Sequence, residues 1–231
     1  MLTLERTWDR RVEEWHSHVT SAAAFAQVLD SLMRLSSPEP TDNCVDLGAG
    51  TGFVTTTLAP LVSSVLAVDI STAMATSLAD RAARDGLANV STEVSDLREF
   101  QLPPGSVDLV VSSYALHHLT DADKRVLVAR AARWLRPGGR LVIADMMFGR
   151  GASQRDRDIL RQKVTALARK GPGGWWRIAK NLARYGLGVG QEHPATPEFW
   201  REALRDAEFG GIVFQPVVAE AGVVRGVKPG R

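Results

Sequence analysis

The chain has 231 residues, 45% of them hydrophobic and 23% charged, with a net charge of +2. That is enough chain to bury a substantial core as one large domain, or as a domain with an insertion, and a balance of charge that by itself names no partner. A single cysteine, Cys44, excludes an internal disulfide framework, and a charged N-terminus with no run approaching the roughly 20 apolar residues that span a bilayer leaves a cytoplasmic location as the expectation.

Residues 1–37 read as helix, because Val12, Trp15, Val19, Ala22, Ala23, Ala26, Leu29 and Leu32 recur at three- and four-residue intervals. Ser36-Ser37-Pro38-Glu39-Pro40 breaks it. Trp8, Trp15, His16 and His18 gather early in this segment, either packing on the body of the protein or capping a site. A strand at about 43–47 then runs into Gly48, Gly50 and Gly52, followed by a helical pattern at 51–61. Glycines there permit positive φ and close approach of a ligand, and the amides at a helix start favour a polar or anionic group. A second strand, 65–68, ends at Asp69, 23 residues after Asp46, where a carboxylate can accept from a ribose diol.

The alternation continues. A helix at about 71–85 has Ser71 as its expected N-cap and Gly86 as its stop; a third strand at 90–94 ends at Ser95-Asp96. A fourth strand spans 107–112, Asp121 is the expected cap of a helix at 122–135, and Arg136-Pro137-Gly138-Gly139 is expected to end that helix before a fifth strand at 140–145. Strands separated by helices of this length predict parallel βαβ units, with ligands bound beyond the carboxyl ends of the strands. Asp46, Asp69, Asp96, Ser112 and Asp145 all fall at such ends.

After residue 150 the pattern changes. Two helices are expected at 155–170 and 175–187, and residues 150–191 hold ten basic residues against two acidic ones, leaving the rest of the chain at 18 against 24. The stretch 175–185 is amphipathic, with Trp175, Ile178 and Leu182 on one stripe and Arg177, Lys180 and Arg184 on another. It reads as a solvated basic face, a lid over an apolar pocket, a patch for an anionic substrate, or a contact with an anionic membrane surface. Finally, a helix at 197–207 capped by Thr196 precedes two apolar runs, 212–218 and 223–227, expected to pair antiparallel.

The glycine spacing departs from the dinucleotide pattern at Phe53, and the run Val45-Asp46-Leu47-Gly48-Ala49-Gly50-Thr51-Gly52 resembles the first motif of the class I S-adenosylmethionine-dependent methyltransferases. The resemblance extends through Ala67–Ser71, Ser95–Leu97, Asp108–Leu119 and Leu135–Asp145, and is closest to the small-molecule, methyltransferase type 11-like branch. It implies a Rossmann-like, doubly wound α/β fold with a seven-stranded mixed sheet and helices on both faces. An N-terminal helical cap (1–40), a cofactor-binding core (41–149), a basic helical insertion or lid (150–195) and a C-terminal helix and strand pair (196–231) would form a single domain. It implies S-adenosyl-L-methionine as cofactor and S-adenosyl-L-homocysteine as product, with no metal expected. Gly48, Ala49 and Gly50 would meet the methionine half, Asp46 its ammonium, Asp69 the ribose, Ile70 the adenine face, and Asp96 and Leu97 the adenine edge, with Ser112 nearby.

Ser112-Ser113-Tyr114-Ala115 lacks the prolines and the acceptor found in methyltransferases acting on nucleobase amino groups, which disfavours a nucleic-acid substrate. In-line methyl transfer relies on positioning, with a base needed mainly for hydroxyl acceptors. His117, Tyr114 and Asp145 are candidates for that role, and Trp15, His118, Trp175, Trp176 and Arg177 for contact with the acceptor. The favoured reading is methylation of a small, partly apolar molecule; the alternatives are an RNA- or DNA-modifying methyltransferase using the basic insertion, and a cofactor-binding protein of this fold with non-methyl chemistry.

Overall fold

A computed structural model describes residues 23–149, 154, 156–158, 161, 164–165, 192–218 and 220–230. Seven strands form one mixed sheet in the order β3-β2-β1-β4-β5-β7-β6, with β1 at Asn43–Leu47, β2 at Ser64–Asp69, β3 at Val90–Val94, β4 at Val107–Ser113, β5 at Leu135–Met146, β6 at Gly210–Pro216 and β7 at Ala221–Val227. The first five run parallel, and β7 pairs antiparallel with both β5 and β6. This is the Rossmann-like α/β arrangement expected from the sequence. Chain order reverses between β1 and β4, which opens a crevice at their carboxyl ends.

The two faces of the sheet are covered by different helices because strand side chains alternate. Val45, Leu47, Val110, Leu141 and Ile143 point to one face, where they pack with Trp134 of α4 (Asp121–Trp134) and Trp200 of α5 (Pro197–Asp206). Cys44, Leu109, Val111, Val142 and Ala144 point to the other, against Val28 and Leu32 of α1 (Ala23–Ser36) and Leu58 of α2 (Thr55–Leu58). A third helix, α3 (Thr72–Arg84), packs on β2 and β3. A partly buried ion pair joins α1 to the sheet: Arg140 reaches Asp42 while its Nε donates to the Ser36 carbonyl at 3.1 Å.

Some boundaries differ from expectation, each for a local reason. The helix expected at 51–61 is shortened to α2 and a 3₁₀ turn, Ala59–Leu61, because Gly52 holds a φ of +85° before it and Pro60, lacking an N–H, tightens its end. The cap of α4 is Thr120, not Asp121: its Oγ1 accepts from the Asp123 amide at 3.2 Å. Residues 136–139 do not separate helix from strand by a free turn. Leu135 already pairs with Val107, and Gly138 donates to the Lys228 carbonyl at 2.9 Å, so the stretch is an irregular start of β5. Likewise β6 begins at Gly210, which pairs with Val227 across a bulge at Gly211. Ser71, Gly86 and Thr196 cap and stop their helices as expected.

Candidate functional site

Beyond the carboxyl ends of β1, β2 and β4 lies a cavity of about 890 Å³, counting its open mouth. Its base is the turn Gly48-Ala49-Gly50, pinned by amides of Gly48 and Ala49 that both donate to the Val68 carbonyl, at 2.7 and 3.0 Å. Gly48 has a φ of +72°, and a Cβ there would fall 2.2 Å from the Ala115 Cβ. Gly52, at +85°, would put a Cβ 2.0 Å from Leu78 Cδ1 of α3. Only glycine lets the turn lie this close to the β4 loop and to the helix behind it.

Asp46, at the end of buried β1, lines the same cavity and is 1% exposed. Its Oδ2 accepts from Thr55 Oγ1 at 2.6 Å, and its Oδ1 is buried with no hydrogen-bond partner among the described residues. Burial pushes its pKa up to about 7, opposed by the Thr55 hydrogen bond and assisted by the nearby Asp69 charge. A half-satisfied carboxylate in such surroundings is an acceptor suited to a cation.

Asp69 joins the turn to α3, accepting from the Gly50 amide at 2.8 Å through Oδ2 and from the Ser71 amide at 2.9 Å through Oδ1. Ile70 and Met74 line the wall beside it. Asp96 and Leu97 close that end, and the Asp96 carboxylate is gripped by Arg98, whose Nε lies 3.0 Å from both oxygens. Arg98, chiefly through these hydrogen bonds, holds Asp96 below the usual carboxylate range. A ligand donor at Asp96 would therefore share it with a guanidinium.

The end of β4 and the loop after it supply the remaining wall through Ser113, Tyr114, Ala115, His118 and Leu119. Tyr114 adopts a φ of +51°, its amide donating to the Ala144 carbonyl at 2.9 Å. Burial, with the charges of Glu220 and Asp145, raises its hydroxyl above the ordinary tyrosine range, so the phenol keeps its proton at neutral pH. Phe25 of α1 and Phe53 of the glycine turn also line the cavity.

Three expected site positions are corrected. Ser112 does not line the cavity; it is fully buried, and its Oγ donates to the Leu47 carbonyl at 2.8 Å, tying β4 to β1. His117 and Asp145 do not line it either. They form a buried pair, with Nδ1 2.6 Å from Oδ1 and the His117 amide donating to Oδ2 at 2.9 Å. The reason is the 3₁₀ turn Leu116–His118, which sends neighbouring side chains in different directions. Burial opposes charge on His117, but Asp145 outweighs it and the His117 pKa is raised. His118, its ring 4.1 Å from that of His117, is the histidine on the cavity wall.

Phe25, Met74, Ser113, Ala115 and Leu119 also line the cavity and were not singled out by the sequence, where nothing beside them distinguishes a pocket-facing residue from a core one. Trp15, Trp175, Trp176 and Arg177, with the helices expected at 155–170 and 175–187, lie outside the described residues, apart from isolated positions of the former. Among the described residues no helix is long and apolar enough to cross a membrane, and no group of three or more His, Cys, Asp or Glu could hold a metal.

Comparison with known proteins agrees with this geometry. The methyltransferase domain family matches residues 44–139. A protein of Bacillus velezensis named as an uncharacterized methyltransferase is 35% identical over 124 residues, 54% of each chain, so this chain spans about half the length of such curated relatives. The N-methyltransferase NodS from Bradyrhizobium japonicum, solved with S-adenosyl-L-homocysteine, superposes with a TM-score of 0.68 at 19% identity, over 97% of this chain and 98% of NodS. The [4+2]-cyclase SpnF superposes with a TM-score of 0.72 at 13% identity, over 99% and 96% of the two chains. Residues 44–139 thus resemble the methyltransferase domain family, and the sheet order is shared with the fold of these solved structures.

Proposed function

We propose that this chain is an S-adenosyl-L-methionine-dependent methyltransferase acting on a small, partly apolar organic molecule, with S-adenosyl-L-homocysteine as product. The observation that carries the reading is the buried, unpartnered Oδ1 of Asp46 on the same cavity as the glycine turn. An α-ammonium group supplies the charge and the donor that this oxygen lacks. Gly48, Ala49 and Gly50 put the turn's backbone on the cavity wall, and Asp69 stands beside them where a ribose diol would lie. Ile70, Met74 and Leu97 would flank the adenine, with Asp96 at its edge. The cofactor, when bound, supplies an electrophilic methyl group on a positively charged sulfur.

The chain's own part is to hold donor and acceptor in line and to exclude water, a contribution that can reach several kcal/mol. Tyr114, with its raised pKa, serves as a hydrogen-bonding and packing wall rather than as a base. His118 is the imidazole of the β4 loop that faces this space. His117 and Asp145 would act through the position of that loop.

Calorimetry tests the premise: both the cofactor and its demethylated product should bind with one-to-one stoichiometry, and transfer of labelled methyl to an organic extract should follow. A folded protein that binds neither sinks the proposal. A second reading, non-methyl chemistry in the same cavity, draws on the likeness in fold to SpnF; it predicts binding without any labelled product.

A further inference from the structure

Three rings stand together beside the glycine turn. Phe25 lies 4.9 Å from Tyr114 at an interplanar angle of 52°, and 6.4 Å from Phe53 at 88°. All three line the cavity. Near-parallel walls form a slot for a flat molecule. Rings set at wide angles, as here, pack against one another and offer the cavity a continuous aromatic wall without such a slot. Tyr114 holds its place at a cost, since a φ of +51° is an uncommon conformation for a side chain of its size.

The charges favour the same kind of occupant. Asp46, Asp69, Asp96, Tyr114 and His118 are the titratable groups on the wall, and neither Arg nor Lys joins them among the described residues. A phosphate or carboxylate would meet a negative field there, whereas an alkylammonium group would meet ring quadrupoles and nearby carboxylates. Asp46, Asp69 and Asp96 are already taken by the cofactor in the reading above. The rings are what remains for the acceptor.

We propose that Phe25, Phe53 and Tyr114 form an acceptor subsite for an alkylated amine, an inference that rests on the methyltransferase reading. In the transfer, the lone pair of the neutral amine nitrogen forms the new nitrogen–carbon bond while the carbon–sulfur bond breaks onto sulfur. The proton carried by the new ammonium leaves to water, and a tertiary amine, which has none, ends as a quaternary ion.

Binding tests this without turnover. Protein saturated with S-adenosyl-L-homocysteine is titrated with choline and with 3,3-dimethylbutan-1-ol, which has the same shape but no charge. Choline should bind at least tenfold more tightly. Phe25→Leu and Tyr114→Leu should each weaken choline at least fivefold more than they weaken S-adenosyl-L-homocysteine. Equal binding of the two probes, tighter binding of the alcohol, or no measurable binding of either overturns the proposal. So does choline binding that is unchanged in a folded Phe25→Leu protein. The wild-type preference decides the matter even where a variant fails to fold. Loss of S-adenosyl-L-homocysteine binding in the wild type refutes the cofactor reading instead. Ring variants that lose only their preference for S-adenosyl-L-methionine over its product would mean that the rings serve the sulfonium, which also overturns the amine assignment.

Discussion

Replacing Asp46 by asparagine separates what the carboxylate costs the empty fold from what it contributes to a cationic ligand. Its folded pKa is about 7 against an ordinary value of 3.8, so the folded state holds a proton that the unfolded chain has already lost between those values. The sign follows: a group whose folded pKa is raised by burial of its charge makes the fold less stable as pH rises from about 4 to 7. At 1.36 kcal/mol per unit, the cost is below about 2 kcal/mol at pH 5 and about 4 kcal/mol at pH 8. Asparagine keeps an acceptor for Thr55 Oγ1, but its buried NH₂ adds a pH-independent cost of about 1–3 kcal/mol. Urea unfolding of the ligand-free proteins between pH 5 and 8 should therefore show Asp46→Asn gaining on the wild type by about 3 kcal/mol across the range. Calorimetry should show the complement. Wild-type affinity for S-adenosyl-L-methionine should rise roughly tenfold from pH 6 to pH 8 as Asp46 ionises, and the variant should bind weakly with no such rise. A constant stability difference between the two proteins, together with a flat affinity profile in the wild type, would refute the claim that this carboxylate is buried and waiting for a cation.

Asp69→Ala removes the acceptors of the Gly50 and Ser71 amides as well as those for a ribose diol. Affinity for S-adenosyl-L-homocysteine should fall roughly a hundredfold in calorimetry, about 3 kcal/mol for bonds to a charged group, and unchanged affinity would show the assignment to be wrong. Gly48→Ala, which sets a Cβ 2.2 Å from that of Ala115 at a φ of +72°, should cost about 1–3 kcal/mol in thermal unfolding and abolish cofactor binding. His117 contributes stability that is fully present below about pH 6.5 and lost as pH rises through its raised folded pKa, because Asp145 favours its charged form. His117→Gln should flatten the melting temperature across that window, and a profile identical to the wild type would mean the pair does not titrate as described. Asp145→Ala should cost about 3–5 kcal/mol, since it leaves a buried imidazole without its partner.

The succession of strands and helices and the acids at strand ends were legible in the sequence because they are local: glycine spacing, alternating βα periods and acids at strand tips are each written within a few residues. Asp46, Asp69 and Asp96 gather on one wall because parallel βαβ units bring successive strand ends to one edge of the sheet. What was not legible depends on rotation and on distance along the chain. His117 and His118 are adjacent and equally plausible on paper, and the 3₁₀ turn decides which of them faces the cavity. Ser112 differs from Ser113 only by the alternation of a strand whose last residue was misplaced by one. Phe25 reaches the site through the packing of α1 on the far strands, with no signal in its own neighbourhood to distinguish it from core. The start of β5 was misread because Arg136-Pro137-Gly138-Gly139 has a turn composition, while its backbone bonds go to Lys228 at the other end of the chain.

The most direct test is a crystal structure of the protein grown with S-adenosyl-L-homocysteine. The ammonium should lie within hydrogen-bond distance of Asp46 Oδ1, the ribose hydroxyls on Asp69, and the sulfur should face the wall made by Phe25, Tyr114 and His118. A ligand bound elsewhere, or bound here with its ammonium away from Asp46, would contradict the assignment of this cavity.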